Sequence, residues 1–168
     1  MMMPVLRRFV AAISACGLVA GIVIYIASYM GSTLDDLFRW AIVLHIGIFV
    51  LVLSMCVTNY SAFRSRLFFW KEFGRGMPKW VVPTIKGLGA FFVIHLIVFL
   101  WQSHAASPEM KDGNYVLNNH GHILRMLTKS EYLRLKAGEL RLVATGWIFF
   151  YFVPTAYWWF RRPNNKAS

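Results

Sequence analysis

Hydrophobic positions along the chain gather into four runs, and the one long polar passage lies between the last two. Residues 9–30 carry no charge at all. Residues 38–57 have Arg39 at their edge, and 80–102 have Lys86 near their start. Residues 142–160 are again uncharged. A helix needs about 20 apolar residues to cross the hydrocarbon core of a bilayer, and each run approaches or exceeds that length. A membrane barrel would require more strands, with alternating polarity. The pattern therefore predicts an all-α integral membrane protein, a single domain of four transmembrane helices over 9–30, 38–57, 80–102 and 142–160.

Finer patterning adds detail inside the runs. Gly17 and Gly21 form a GxxxG motif in the first, with Ser14 and Ser28 on nearly the same face. Small residues at this spacing let helices approach closely. The motif points to packing inside the bundle, with homo-oligomerisation through Gly17 and Gly21 as the other use. Pro83 falls in the first turn of the third span, where its missing N–H costs little. Pro154 lies deeper in the fourth and predicts a kink there.

The polar passage, 103–141, reads as a cap. Residues 115–117 and 123–127 flank Asn118-Asn119-His120-Gly121, which predicts a β-hairpin with a three-residue turn and a bulge, Gly121 taking the left-handed conformation. Thr128-Lys-Ser-Glu131 matches a capping box, in which the Thr128 hydroxyl caps a helix and Glu131 reaches back. Helix formers then continue into the fourth span. A hairpin alone is marginal in water, so this one is expected to pack on the helix ends or on another protein.

Composition agrees with a membrane: 58% hydrophobic, 17% aromatic and 15% charged, with a mean hydropathy of +0.51. Charged residues usually make up about a quarter of a soluble domain. The net charge of +11 would suggest nucleic acid in a soluble protein, but its placement changes the picture. The N-terminal tail, the 58–79 loop, Lys86 and the C-terminal tail together carry +10, and the opposite side carries +1. The positive-inside rule then puts both termini and the 58–79 loop in the cytoplasm and 103–141 outside. Short loops and a compact bundle suit a bacterial inner membrane. Ile13-Ser14-Ala15-Cys16 resembles a lipobox, yet cleavage there would leave an apolar run on a lipidated cysteine, so the first span is read as retained. Cys16 and Cys56 fall in the cytoplasmic halves of their helices, where no disulfide is expected.

The 58–79 loop interleaves Arg64, Arg66, Lys71 and Arg75 with Phe63, Phe68, Phe69, Trp70 and Phe73. Between two spans, that mixture predicts an interfacial segment whose aromatics dip into the headgroups and whose cations meet anionic lipid. Arg64, Arg66, Trp70 and Lys71 are its lipid-facing candidates, and nucleic acid is not expected.

Candidate chemistry is sparse. His45 and His95 each lie seven residues inside the outer end of a span, about 10 Å below the surface. Ionisable residues at such depth usually point into the bundle. Two neutral imidazoles could ligate a b-type haem, with Gly47, Gly87 and Gly89 making room; the alternatives are a structural hydrogen bond for each ring, or metal, quinone or proton handling. His104, His120 and His122 form a weaker metal candidate, with Glu109 and Asp112 nearby in sequence. No GxSxG, HExxH, P-loop or dinucleotide fingerprint is present, and no Asp or Glu lies within a span. The reading that follows is a non-catalytic accessory or scaffold subunit of a membrane assembly, with no cofactor expected. Its partner surface would be the cap, at Tyr115, Asn119, His120, Arg134 and Arg141. The alternative is an electron-transfer subunit with haem on His45 and His95.

Overall fold

The computed structural model describes residues 4–33, 37–58, 70 and 73–160. Its elements run in the order α1 (Pro4–Tyr29), α2 (Phe38–Thr58), α3 (Val81–Ser103), β1 (Ser107–Lys111), β2 (Asn114–Asn119), β3 (His122–Met126) and α4 (Lys129–Phe160). Arg64, Arg66 and Lys71 of the interfacial loop lie outside the described residues.

Three helices are long and apolar enough to cross a membrane: Val5–Tyr29, Trp40–Thr58 and Val81–Ser103. Their outward faces carry large apolar side chains such as Val19, Val23, Phe49, Leu53, Ile94 and Ile97. Exposed tryptophans mark both ends: Trp40 and Trp101 beside the sheet, Trp80 and Trp159 at the far end. Along α3, Trp80 and Trp101 are about 31 Å apart at 1.5 Å per residue, close to the roughly 30 Å hydrocarbon core. Aromatic belts at that spacing are what two lipid–water interfaces favour.

The fourth helix is different in kind. Residues 142–160 form the second half of α4, a single helix that begins at the sheet, and α1, α2 and α3 all pack on it. Its Thr145, Trp147, Tyr151, Tyr157 and Trp158 are buried against those neighbours. Hydroxyls and ring N–H groups that lipid would leave unpartnered are tolerated on a helix covered by protein. They also make α4 less apolar than the other three, and it is not among the helices that qualify as spans by hydropathy.

Glycines of the outer helices let α4 come close. The buried stripe of α1 is Ala11, Ser14, Gly17, Gly21, Ile24 and Ser28. A Cβ on Gly17 would overlap the Tyr151 ring, and one on Gly21 would sit 3.3 Å from the Ile148 backbone nitrogen. The GxxxG face is thus used within the bundle. Tyr151 then reaches past α1 to α2, where its hydroxyl donates to Leu44 O at 2.7 Å in space left by Gly47. Ser14 and Ser28 satisfy their buried hydroxyls on their own helix, at Val10 O (2.9 Å) and Tyr25 O (2.6 Å). At the far end, Arg7 donates to Trp158 O at 2.7 Å and ties the start of α1 to the end of α4. Phe73, read from the sequence as a headgroup aromatic, is instead buried and stacks on Tyr157 with centroids 5.9 Å apart.

The cap corrects the sequence reading in two respects. The hairpin is part of a three-stranded antiparallel sheet in the order β1-β2-β3. Its extra strand, Ser107–Lys111, enters through Asp112-Gly113, both at positive φ (50° and 77°), which is the mirror-image turn that matches strand twist. Pro108 is acceptable because β1 is an edge. The second turn has two residues rather than three: His120 and Gly121 both take positive φ (49° and 93°), and Asn119 pairs with His122 inside the ladder. The bulge is present between Leu117 and Asn118. Beneath the sheet, Ala106, Leu117, Leu127 and Leu135 form a small core, with Tyr115 tilted against Tyr132 at 4.7 Å.

Candidate functional site

The two histidines within the apolar helices, His45 on α2 and His95 on α3, share one local geometry and differ in their partners. Each Nδ1 lies against the carbonyl four residues earlier on its own helix, His45 to Ala41 O at 2.9 Å and His95 to Phe91 O at 3.1 Å. A carbonyl oxygen only accepts, so these contacts place the proton on Nδ1. His95 Nε2 then accepts from the Tyr25 hydroxyl of α1 at 3.3 Å, and Tyr25 is 3.0 Å from the Tyr29 hydroxyl. Arg141 of α4 covers the Tyr29 ring, its guanidinium carbon 4.9 Å from the centroid. Such a cation over a ring face contributes about 0.5–1 kcal/mol where exposed. This chain of rings joins α3, α1 and α4 below the sheet.

His45 stands instead over α4, edge-on to Trp147 with centroids 5.5 Å apart. The Trp147 indole N–H approaches the His45 Nδ1 at 3.3 Å, a longer contact than the one to Ala41. His45 lines a cavity of about 500 Å³ with Phe92, Trp147 and Phe150, and His95 is not part of that lining. The structure therefore brings each histidine to an aromatic of another helix, and among the described residues gives them no common partner. Of the glycines expected to make room for a porphyrin, Gly47 receives Tyr151, Gly89 faces Phe149 at 3.3 Å, and Gly87 borders open space.

On the cap, the capping box forms as the sequence predicts. Glu131 N donates to Thr128 Oγ1 at 3.2 Å, and Thr128 N donates to Glu131 Oε2 at 2.8 Å. Arg125 of β3 adds an ion pair to Glu131 Oε1 at 2.9 Å. The Thr128 backbone N–H, then Arg125 and the Thr128 hydroxyl, hold the Glu131 carboxyl down at about 2. That cluster fastens the sheet to the start of α4.

The other sequence candidates separate. Tyr115 is spent on Tyr132 and Arg141 on Tyr29, whereas Arg134 and His120 are exposed and Asn119 is half-buried. His104 caps α3 in the left-handed region, His120 occupies a turn, and His122 begins β3. Among the described residues, no three His, Cys, Asp or Glu side chains converge as a metal site. Trp70 lies under Lys86, whose ammonium is 5.3 Å from the ring centroid. Sequence reasoning missed Tyr25, whose i,i+4 partner Tyr29 was a legible signal on one face of α1. It also missed β3 as an edge: all five of its residues are exposed, including Ile123, Leu124 and Met126.

Three apolar helices able to cross a bilayer, packed on a buried fourth, place the chain among helical membrane proteins, here with a sheet-and-helix cap at one end. No family model, curated protein or solved structure matches it.

Proposed function

We propose that this chain is a non-catalytic accessory or scaffold subunit of a bacterial inner-membrane assembly, and that it presents its cap to a partner on the outer side. The charge asymmetry supports the orientation, with both termini and the 58–79 loop in the cytoplasm and the cap outside. The observation that carries the reading is β3. Among the described residues it is a sheet edge with no strand beyond it, and its Ile123, Leu124 and Met126 are each about half exposed, at 48%, 49% and 57%. Long apolar edges invite another strand, and proteins that work alone usually blunt them with charge, proline or a covering element. The opposite edge, β1, has Pro108, Glu109 and Lys111. A partner segment added to β3 would gain main-chain hydrogen bonds along the edge and apolar contacts from alternate side chains. His120 and Arg134 offer polar contacts at the rim.

The test is affinity purification of the tagged chain from its native membrane at native expression. A partner recovered with the wild type should be lost with Ile123→Lys/Met126→Lys, and retained with Lys111→Ala on the other edge. Retention of every association by the β3 variant would defeat the proposal.

The alternative, an electron-transfer subunit with haem b between His45 and His95, draws less support. Ligation requires a free imidazole nitrogen on each ring, and Tyr25 engages the one His95 has left. A visible spectrum of the purified, haem-supplied protein discriminates. A Soret band that shifts on reduction and disappears in His45→Ala and His95→Ala would favour haem over a scaffold.

A further inference from the structure

His45 has a nitrogen that His95 does not: one without a protein partner. With Nδ1 committed to Ala41 O, Nε2 is a bare acceptor, and no donor reaches it among the described residues. Were Nδ1 instead to accept from Trp147, Nε2 would carry an unmatched proton. In either tautomer one polar atom is left open, about 10 Å inside the sheet end of α2, where hydrocarbon supplies no hydrogen bonds.

His45, which carries that open nitrogen, lines a cavity of a size that binds small molecules. The cavity, about 500 Å³, lies between α2 and α3 with α4 as its floor, and ligand sites span about 300–1,000 Å³. Along α2 it follows one helical face, His45, Phe49, Val52 and Cys56, a run of about 16 Å. Phe92 and Phe150 close it from the other helices. Among the described residues, no charged side chain lines it. A charged head group would enter without a counter-ion, and a porphyrin's propionates would meet none there. A purely apolar chain would leave the imidazole unsatisfied. The matching chemistry is a neutral molecule with one hydroxyl, because a hydroxyl both donates and accepts and so serves either tautomer.

We propose that this crevice binds a lipid-soluble hydroxyl compound, its head hydrogen-bonded to His45 Nε2 and its apolar tail laid along α2 from Phe49 to Cys56. A quinol and an acylglycerol both have that chemistry. The site is independent of the cap and of its partner.

The experiment uses the full chain in phosphatidylcholine nanodiscs with a diazirine-bearing long-chain alcohol as the probe, crosslinked by light and mapped by peptide mass spectrometry. Labelling should concentrate in 49–56 and 142–150. It should fall about tenfold in His45→Leu, the equivalent of one hydrogen bond of about 1.4 kcal/mol, and persist in His95→Leu. Val52→Phe, which fills the crevice without touching the imidazole, should reduce it as well, so a folding defect in one variant leaves the other to decide. Displacement by a decyl benzoquinol would identify a quinol site, and displacement by a monoacylglycerol a lipid site. Labelling spread over the outward faces of α1, α2 and α3 alike, or unchanged in both crevice variants, would overturn the proposal.

Discussion

Gly113 in the cap and Gly17 in the bundle are both required glycines, for opposite reasons. Gly113 has open space around it and a φ of +77°, so a side chain there fails on backbone conformation alone. Gly17 sits in an ordinary helix and has no room, because the Tyr151 ring occupies the place of its Cβ. The cap is held by local devices: two tight turns, a capping box and the ion pairs Arg125–Glu131 and Lys136–Glu139. The bundle is held by distant residues fitted together across three helices, with Tyr151 crossing from α4 over α1 to the Leu44 carbonyl of α2. The difference teaches where each region should fail and what should rescue it.

The largest effect should come from Tyr151→Ala, which removes a buried aromatic and its hydrogen bond. Loss of about 3–5 kcal/mol is expected, read as a lower unfolding midpoint in detergent. Tyr151→Phe should cost only about 1 kcal/mol. If the two are equally damaging, packing over Gly17 is not what the ring provides.

Gly17→Ala comes next, at about 1–3 kcal/mol for overpacking. In a Tyr151→Ala background much of that cost should vanish, since neighbouring mutations that share a space are non-additive. Gly113→Ala should cost about 1–2 kcal/mol, the strain of a left-handed residue, with no rescue from any Tyr151 variant. Equal rescue of both glycines would erase the distinction.

Thr128→Ala should weaken the cap by about 1 kcal/mol. The loss should appear as faster amide exchange in β3 and the first turns of α4, and leave α1–α2 packing unchanged.

The smallest effect is pH dependence at Glu131. Its carboxyl titrates at about 2 in the folded cap against an ordinary 4.5, so the folded state binds its proton more weakly than the unfolded one. The stabilisation is fully present above pH 4.5 and is lost as pH falls toward 2. Cap resonances followed through that window should shift with pH in the wild type and lose that dependence in Glu131→Gln.

Much of this was written locally. Helix lengths follow from apolar runs, the capping box from a four-residue motif, and Gly121 in the left-handed region from its place between two alternating segments. β1 was legible in part: Asp112-Gly113 is a strong hairpin signal, but Pro108, Glu109 and Lys111 obscure the strand before it. A strand of poor propensity forms there because β2 offers it a ladder.

What the sequence by itself determined is which segments shed water: four apolar runs, three of which form helices apolar enough for a bilayer, and a polar cap whose turns and caps are chosen by residues a few positions apart. What only the tertiary structure decided is what covers each apolar face. Hydropathy counts apolar groups and is blind to whether lipid or protein meets them. The most aromatic of the four apolar runs therefore turned out to be the buried axis. For the same reason, two histidines at equal depth ended differently, one closed by Tyr25 and the other facing an open crevice.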